Sequence, residues 1–268
     1  MTDLDLCLYD VDNQVAVLTF NRPDRMNGMT GNMEVAFYER LRQAEADNDV
    51  RAIVVTGAGR AWCPGADLAY RPGEGDEPLP NTKIPTTTLL DIRKPVIAAI
   101  NGACAGMAFA LALMCDFRIA ASGVKFTTAF AQRGLIAEYG LAWHIIEIAG
   151  RATALDLLLT ARVLRAEEMH ELGLVNRVVP PEDVLSEAAA LARSLASTSS
   201  PASMATIKRQ VLDASASTVR DAMSEADTLM YESIDGADVR EGIQGFLDKR
   251  PVDFAPLGHG TTFAWMED

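Results

Sequence analysis

Short apolar runs rich in β-branched residues recur along the first two thirds of the chain, and they constrain its fold more than any other feature. QVAVLTF (14–20), RAIVVTG (51–57), PVIAAING (95–102), FRIAAS (117–122) and LVNRVVP (174–180) each have the length of a buried strand rather than of a helix. Several end in glycine or serine. Between the first two, residues 32–47 place Met33, Phe37, Leu41 and Ala44 at helical spacing. The pattern predicts an α/β fold of stacked strand, loop and helix turns, too unevenly spaced to be a strict repeat. After Pro180 it changes. Residues 182–197, 201–215, 217–235 and 237–249 are helical in composition, and Thr218 with Asp221 makes a helix-start signal. The expected division is a core over 1–197 and a helical C-terminal segment over 198–268, with STSSP at the joint. A segment that short holds little core of its own. It is expected to pack on its own core or on a neighbouring subunit.

With 268 residues, 49% of them hydrophobic, the chain can bury a large core. The longest apolar run, Met107 to Cys115, is too short to cross a bilayer. The start, MTDLDLCLYD, lacks the basic and apolar regions of a signal peptide, so a cytoplasmic location without membrane partners is expected. A net charge of −13 argues against a nucleic-acid partner. The small basic clusters, Arg22 with Arg25 and Lys249 with Arg250, suit one phosphate-bearing cofactor. Cys7, Cys63, Cys104 and Cys115 have no metal-like spacing and read as buried reduced thiols; with three scattered histidines, no metal site is expected. RPGEGDEPLPNTKIPTTT (71–88) reads as a mobile loop.

Two glycine-rich segments share one logic. TGAGRAWCPGADL (56–68) and INGACAGMAFA (100–110) each run from a strand through a tight turn toward a helix, the first helix being expected near Ala66. The first turn of a helix leaves N–H groups without internal partners. Two such groups converging on one oxygen make an oxyanion hole, and a thioester carbonyl becoming an enolate is a fitting guest. Each cluster is also readable as a plain turn. A dinucleotide fingerprint fits poorly, since Gly57 and Gly59 are followed by Trp62 at the third position. The second segment continues as an apolar helix with no acid before Asp116, which itself reads as structural.

GAGRAWCPGADL followed by KPVIAAINGACAGMAFALALMCDFRIAA resembles the crotonase superfamily, the enoyl-CoA hydratase/isomerase family. So do FNRPDRMNGM, residues 151–180 and FLDKRP (246–251). The resemblance implies a spiral of ββα turns with a C-terminal helical segment for oligomerisation, as a homotrimer or hexamer. It implies no permanently bound cofactor, coenzyme A being part of the substrate. The oxyanion hole would be the N–H groups of Ala66 and Met107, with the acyl-CoA along Arg25, Met26, Gly65, Ala66, Asp67 and Leu68. Lys249 or Arg250 would reach the CoA phosphates, from this or a neighbouring subunit. The two glutamates that activate water in family hydratases align with Ala110 and Phe130, neither of which moves a proton. Glu138, in RGLIAEYGLAW, aligns with an acid that shuttles protons in double-bond isomerases. An isomerase-like proton shuttle by Glu138 is therefore the favoured expectation. The alternatives are a hydratase, a CoA-thioester hydrolase and an acyl-CoA-binding pseudoenzyme. Tyr139 and His144 either serve Glu138 or simply pack. Cys63 has no histidine nearby in sequence and is no expected nucleophile.

Overall fold

A computed structural model describes residues 3–68 and 85–266. Most of the residue 71–88 loop lies outside the described residues; Thr86–Leu89 forms a short 3-10 helix. The strands are β1 (Cys7–Asp12), β2 (Val15–Phe20), β3 (Ala52–Gly57), β4 (Ala61–Cys63), β5 (Val96–Ile100), β6 (Ala103–Ala105), β7 (Phe117–Ala121), β8 (Lys125–Thr127), β9 (Leu164–Arg165) and β10 (Arg177–Val179). They form a six-stranded sheet ordered β1-β2-β3-β5-β7-β10 and a four-stranded sheet ordered β4-β6-β8-β9. Strands β3, β5 and β7 of the first sheet are each followed directly by a short strand of the second, β4, β6 and β8. Strands β2, β3, β5, β7 and β10 lie in the apolar runs of the sequence. The three-residue partners carry no periodicity and were not legible.

This stacking explains the recurring glycines. Successive turns pile so closely that a Cβ on Gly102 would stand 2.1 Å from the Arg60 carbonyl oxygen of the turn below. No side chain fits there. The β1–β2 hairpin departs from the sequence reading, which saw only an acidic terminus. Its turn residues Asn13 and Gln14 both have positive φ, 48° and 65°, as a tight two-residue hairpin requires.

The helices are α1 (Gly31–Ala46), α2 (Met107–Met114), α3 (Leu141–Thr160), α4 (Ala166–Glu171), α5 (Val184–Thr198), α6 (Pro201–Ala214), α7 (Val219–Ile234) and α8 (Ala237–Asp248). Helix α1 seats Phe37 against Phe20 with ring centroids 5.2 Å apart, and Phe20 meets Trp62 edge-on at 5.3 Å. All eight residues of α2 are buried, so it is apolar all round rather than amphipathic. Asp116 follows it and is structural: its carboxylate accepts from Val96 N at 2.7 Å and pairs with Lys208 at 2.9 Å. Helix α5 lays Ala188, Ala192 and Ala196 inward over β3, β5 and β7. The division after residue 197 therefore falls at the end of a core helix. Beyond it, Thr218 caps α7 by accepting from Asp221 N at 3.2 Å. Ala202, Leu229 and Phe263 form a small separate cluster, while Met223, Tyr231, Phe246 and Leu247 stay exposed.

Candidate active site

The second glycine segment behaves as its sequence suggests. Gly106, with φ 56° and ψ −130°, caps α2 in a conformation only glycine adopts easily. Its own N–H donates to Thr127 O at 3.1 Å. The Met107 N–H opens the helix and has no acceptor among the described residues. The Met107 side chain belongs to the core.

The first segment differs: no helix starts at Ala66. Ala66 instead forms an isolated parallel bridge with Met29. Met29 N donates to Gly65 O and Asp67 N donates to Met29 O, both at 2.8 Å. Alternate backbone groups in such a pairing face opposite sides, so the Ala66 N–H points away from Met29. The neighbouring Gly65 packs on the turn into α2. A Cβ on Gly65 (φ 95°) would sit 2.8 Å from Ala105 O and 3.6 Å from Gly106 Cα. Two turns in backbone contact thus each present a free amide, and the Ala66 amide owes its direction to a β-bridge rather than to a helix end.

The bridge is held by Asn27 and by Arg22, which the sequence offered only as a cation for a phosphate. Asn27, fully buried with φ 61°, donates to Ala58 O at 2.9 Å and Ala61 O at 2.7 Å and accepts from Arg22 N at 2.9 Å. Arg22 donates to the Gly28 carbonyl and pairs with Asp67 at 3.1 Å. Asp67 is therefore a fastener of the loop. Arg25 is exposed with no partner among the described residues; Met26 is half-buried and Leu68 is exposed.

Ala110 and Phe130 both flank Gly106. Ala110 N reaches back to Gly106 O at 3.4 Å, and the Phe130 ring lies 3.9 Å from where a Gly106 Cβ would be. Both are buried. The wall beside the free amides is therefore apolar. Glu138 stands at the exposed edge of the loop before α3, where partial burial first and the Glu34 charge second raise its carboxyl above the usual range.

A family model for enoyl-CoA hydratase/isomerase matches residues 10–256. The chain belongs to that family. It is 37% identical over 262 residues to the 1,2-epoxyphenylacetyl-CoA isomerase of Escherichia coli K12, covering 94% of this chain and 98% of the relative. It is 38% identical to a probable enoyl-CoA hydratase of Mycobacterium tuberculosis over 200 residues, 70% of each chain. Among solved structures it is similar to a probable enoyl-CoA hydratase/isomerase from Mycobacterium abscessus, with TM-score 0.85 and 29% identity over 93% of this chain and 98% of that one. An enoyl-CoA hydratase from Mycobacterium marinum is 44% identical, with TM-score 0.69, over 80% of this chain and all of that one. The crotonase-like α/β architecture inferred from sequence is thus the observed one.

The remaining residues singled out from the sequence have the following surroundings. Lys249 and Arg250 follow α8. The chain then runs to Phe254, whose carbonyl accepts from Arg51. Arg51 precedes β3, whereas the glycine turn follows it. That segment is thus tied to the end of β3 opposite the glycine turn. Arg250 is also engaged, pairing with Glu241 through two bonds of 2.6 and 2.8 Å. Lys249 is exposed. Cys63 is buried beside Gly65, and burial pushes its thiol up to about 12, away from nucleophilic use. His144 packs edge-on against Trp143 and has no hydrogen bond to Glu138 among the described residues; burial, then Arg118, lowers its proton affinity. No group of three or more metal-ligating side chains occurs among the described residues. Nor is any helix among them long and apolar enough to cross a membrane.

Proposed function

We propose that this enzyme acts on an acyl-CoA thioester and moves a proton between two carbons of the acyl chain, as in double-bond isomerisation. The observation that carries the reading is the pair of free amides, Ala66 and Met107, on touching turns beside a wall with no acid. An enolate oxygen held between them gains charge-assisted hydrogen bonds that the neutral thioester does not, which is the condition for lowering the barrier. Glu138 takes a proton from one carbon while the thioester becomes an enolate. It then returns the proton to another carbon as the carbonyl reforms. A raised carboxyl suits both steps. Ala110 and Phe130 disfavour hydration, because nothing there holds and activates water. The isomerase relative and the hydratase relatives carry CoA thioesters in their names, and that supports the substrate class. Arg25 would meet the CoA phosphates from this chain, and Lys249 or Arg250 from a neighbouring subunit of a trimer or hexamer. The exposed apolar residues of α7 and α8 support such an assembly.

The test is solvent-deuterium uptake into a panel of saturated and unsaturated acyl-CoAs, read by mass spectrometry, with wild type beside Glu138→Gln. Exchange that disappears in the variant is the expected result, and the best-labelled ester defines the chain class. Tight binding of the same esters without exchange would instead favour an acyl-CoA-binding protein that has lost the chemistry.

A further inference from the structure

The loop that carries Glu138 is weakly held. Residues 131–136 are exposed, and Gly134, Tyr139 and Gly140 all have positive φ (71°, 53° and 66°). Positive φ is uncommon for a side chain as bulky as tyrosine, so something must hold Tyr139 there. Among the described residues, two side chains tie the loop to helices. Gln132 donates to Thr160 O at 3.0 Å, at the far end of α3. Next to Glu138, the Tyr139 hydroxyl donates to Glu34 Oε1 on α1 at 2.6 Å.

The second tie connects two halves of the site. Glu34 lies in the first turn of α1, which Thr30 caps by accepting from Met33 N at 3.3 Å. Thr30 directly follows Met29, the residue whose bridge aims the Ala66 amide. One rigid segment, 29–34, therefore fixes both an oxyanion donor and the anchor of the acid loop. Tyr139 also lines an apolar cavity of about 280 Å³, with Met114, Trp143 and His144 among its walls.

We propose that Glu34 and Tyr139 are positioning residues: their hydrogen bond anchors the acid loop to α1 and so keeps the Glu138 carboxylate in register with the Ala66 and Met107 amides. The inference rests on the reading of Glu138 given above. It differs from an ordinary packing role in its charge. Glu34 from α1 and Tyr139 from its own loop face Glu138, Tyr38 lies beside Glu34, and all of these groups are acidic. The tie thus brings a second negative charge toward the acid it positions.

Three single variants and one double variant test this against Glu138→Gln, using the full chain and the best-labelled acyl-CoA. In Tyr139→Phe and in Glu34→Ala the tie is lost, and kcat is expected to fall roughly tenfold or more with KM changing far less. Combining them should cost no more than either alone, since one bond is removed in each case. Glu34→Gln keeps an acceptor oxygen and drops the charge. Its kcat should fall less, and the acid limb of kcat/KM should move to lower pH, because the Glu138 carboxylate loses a repelling neighbour. Wild-type kcat and an unmoved acid limb in these variants, with Glu138→Gln inactive, would overturn the positioning role alone. Full turnover in Glu138→Gln would overturn the Glu138 reading and this inference with it. Circular dichroism confirms folding, and Tyr139→Phe preserves the ring, so its result stands if Glu34→Ala does not fold.

Discussion

The close contact between the two amide-bearing turns makes Gly65→Ala the most informative single substitution. Gly65 has φ 95°, where an alanine is strained by about 1–3 kcal/mol. The new Cβ would also lie 2.8 Å from the Ala105 carbonyl oxygen, where ordinary contacts begin at 3.4 Å. That oxygen belongs to the β6 backbone and cannot rotate aside, so the turns must part by roughly half an ångström or more. An oxyanion donor works only within a few tenths of an ångström of its best distance, and losing one typically lowers kcat by about 10²–10³. Stability should fall as well, with Tm lower by roughly 2–4 °C for each kcal/mol lost. Gly258→Ala separates the two effects. Gly258 also has positive φ, 82°, but is exposed with nothing within 4 Å of its Cβ position. That variant should lose stability and keep its kcat. The assay is steady-state turnover of the best-labelled acyl-CoA beside calorimetric unfolding of all three proteins. A folded Gly65→Ala enzyme with wild-type kcat would refute the argument that these touching turns form the oxyanion site.

Three further outcomes follow from the same geometry. Asn27→Ala removes three hydrogen bonds, one of them fully buried, so stability should fall by about 3 kcal/mol, measured by denaturant unfolding, with kcat/KM reduced as the loop facing the substrate loosens. The thiol of Cys63, raised to about 12, should be thiolate in only about one molecule in ten thousand at pH 8, so a disulfide reagent should label native protein negligibly and denatured protein fully. Ala110→Glu places a carboxylate at a fully buried position and should cost about 3 kcal/mol or more without creating hydratase activity; a stable variant that hydrates enoyl-CoA would show that the wall has room for water.

The sequence announced those parts of the fold that rest on local pattern. Five apolar runs located β2, β3, β5, β7 and β10, Thr218 located a helix start, and the two glycine segments located the turns. The family followed from the same residues. What stayed hidden was set by tertiary contact. Strands β4, β6 and β9 are too short to show a period and exist because the turn beside each offers a backbone edge. The helix expected at Ala66 is a bridge, because Met29 pairs there before any helix can start, and the carbon copy of the α2 logic fails for that reason. Arg22 reads in the sequence as one of two nearby cations and Asn27 as one residue of FNRPDRMNGM; that Asn27, at positive φ, fastens the loop is set by the carbonyls it meets in the fold.

Glu34 was the least visible residue of all, and for a physical reason. In sequence it is one acid in the polar face of an amphipathic helix, where such residues are ordinary and favourable near the N-terminus. Only the fold sets it against Tyr139, 105 positions away, and through Tyr139 against Glu138. Backbone amides leave a trace in sequence because they need glycine at fixed places. A carboxylate that works by standing near another needs nothing of its neighbours in the chain. The proton chemistry of this site therefore has to be read from the packing of α1 against the loop before α3, and the Tyr139 hydroxyl is the contact where that packing becomes measurable.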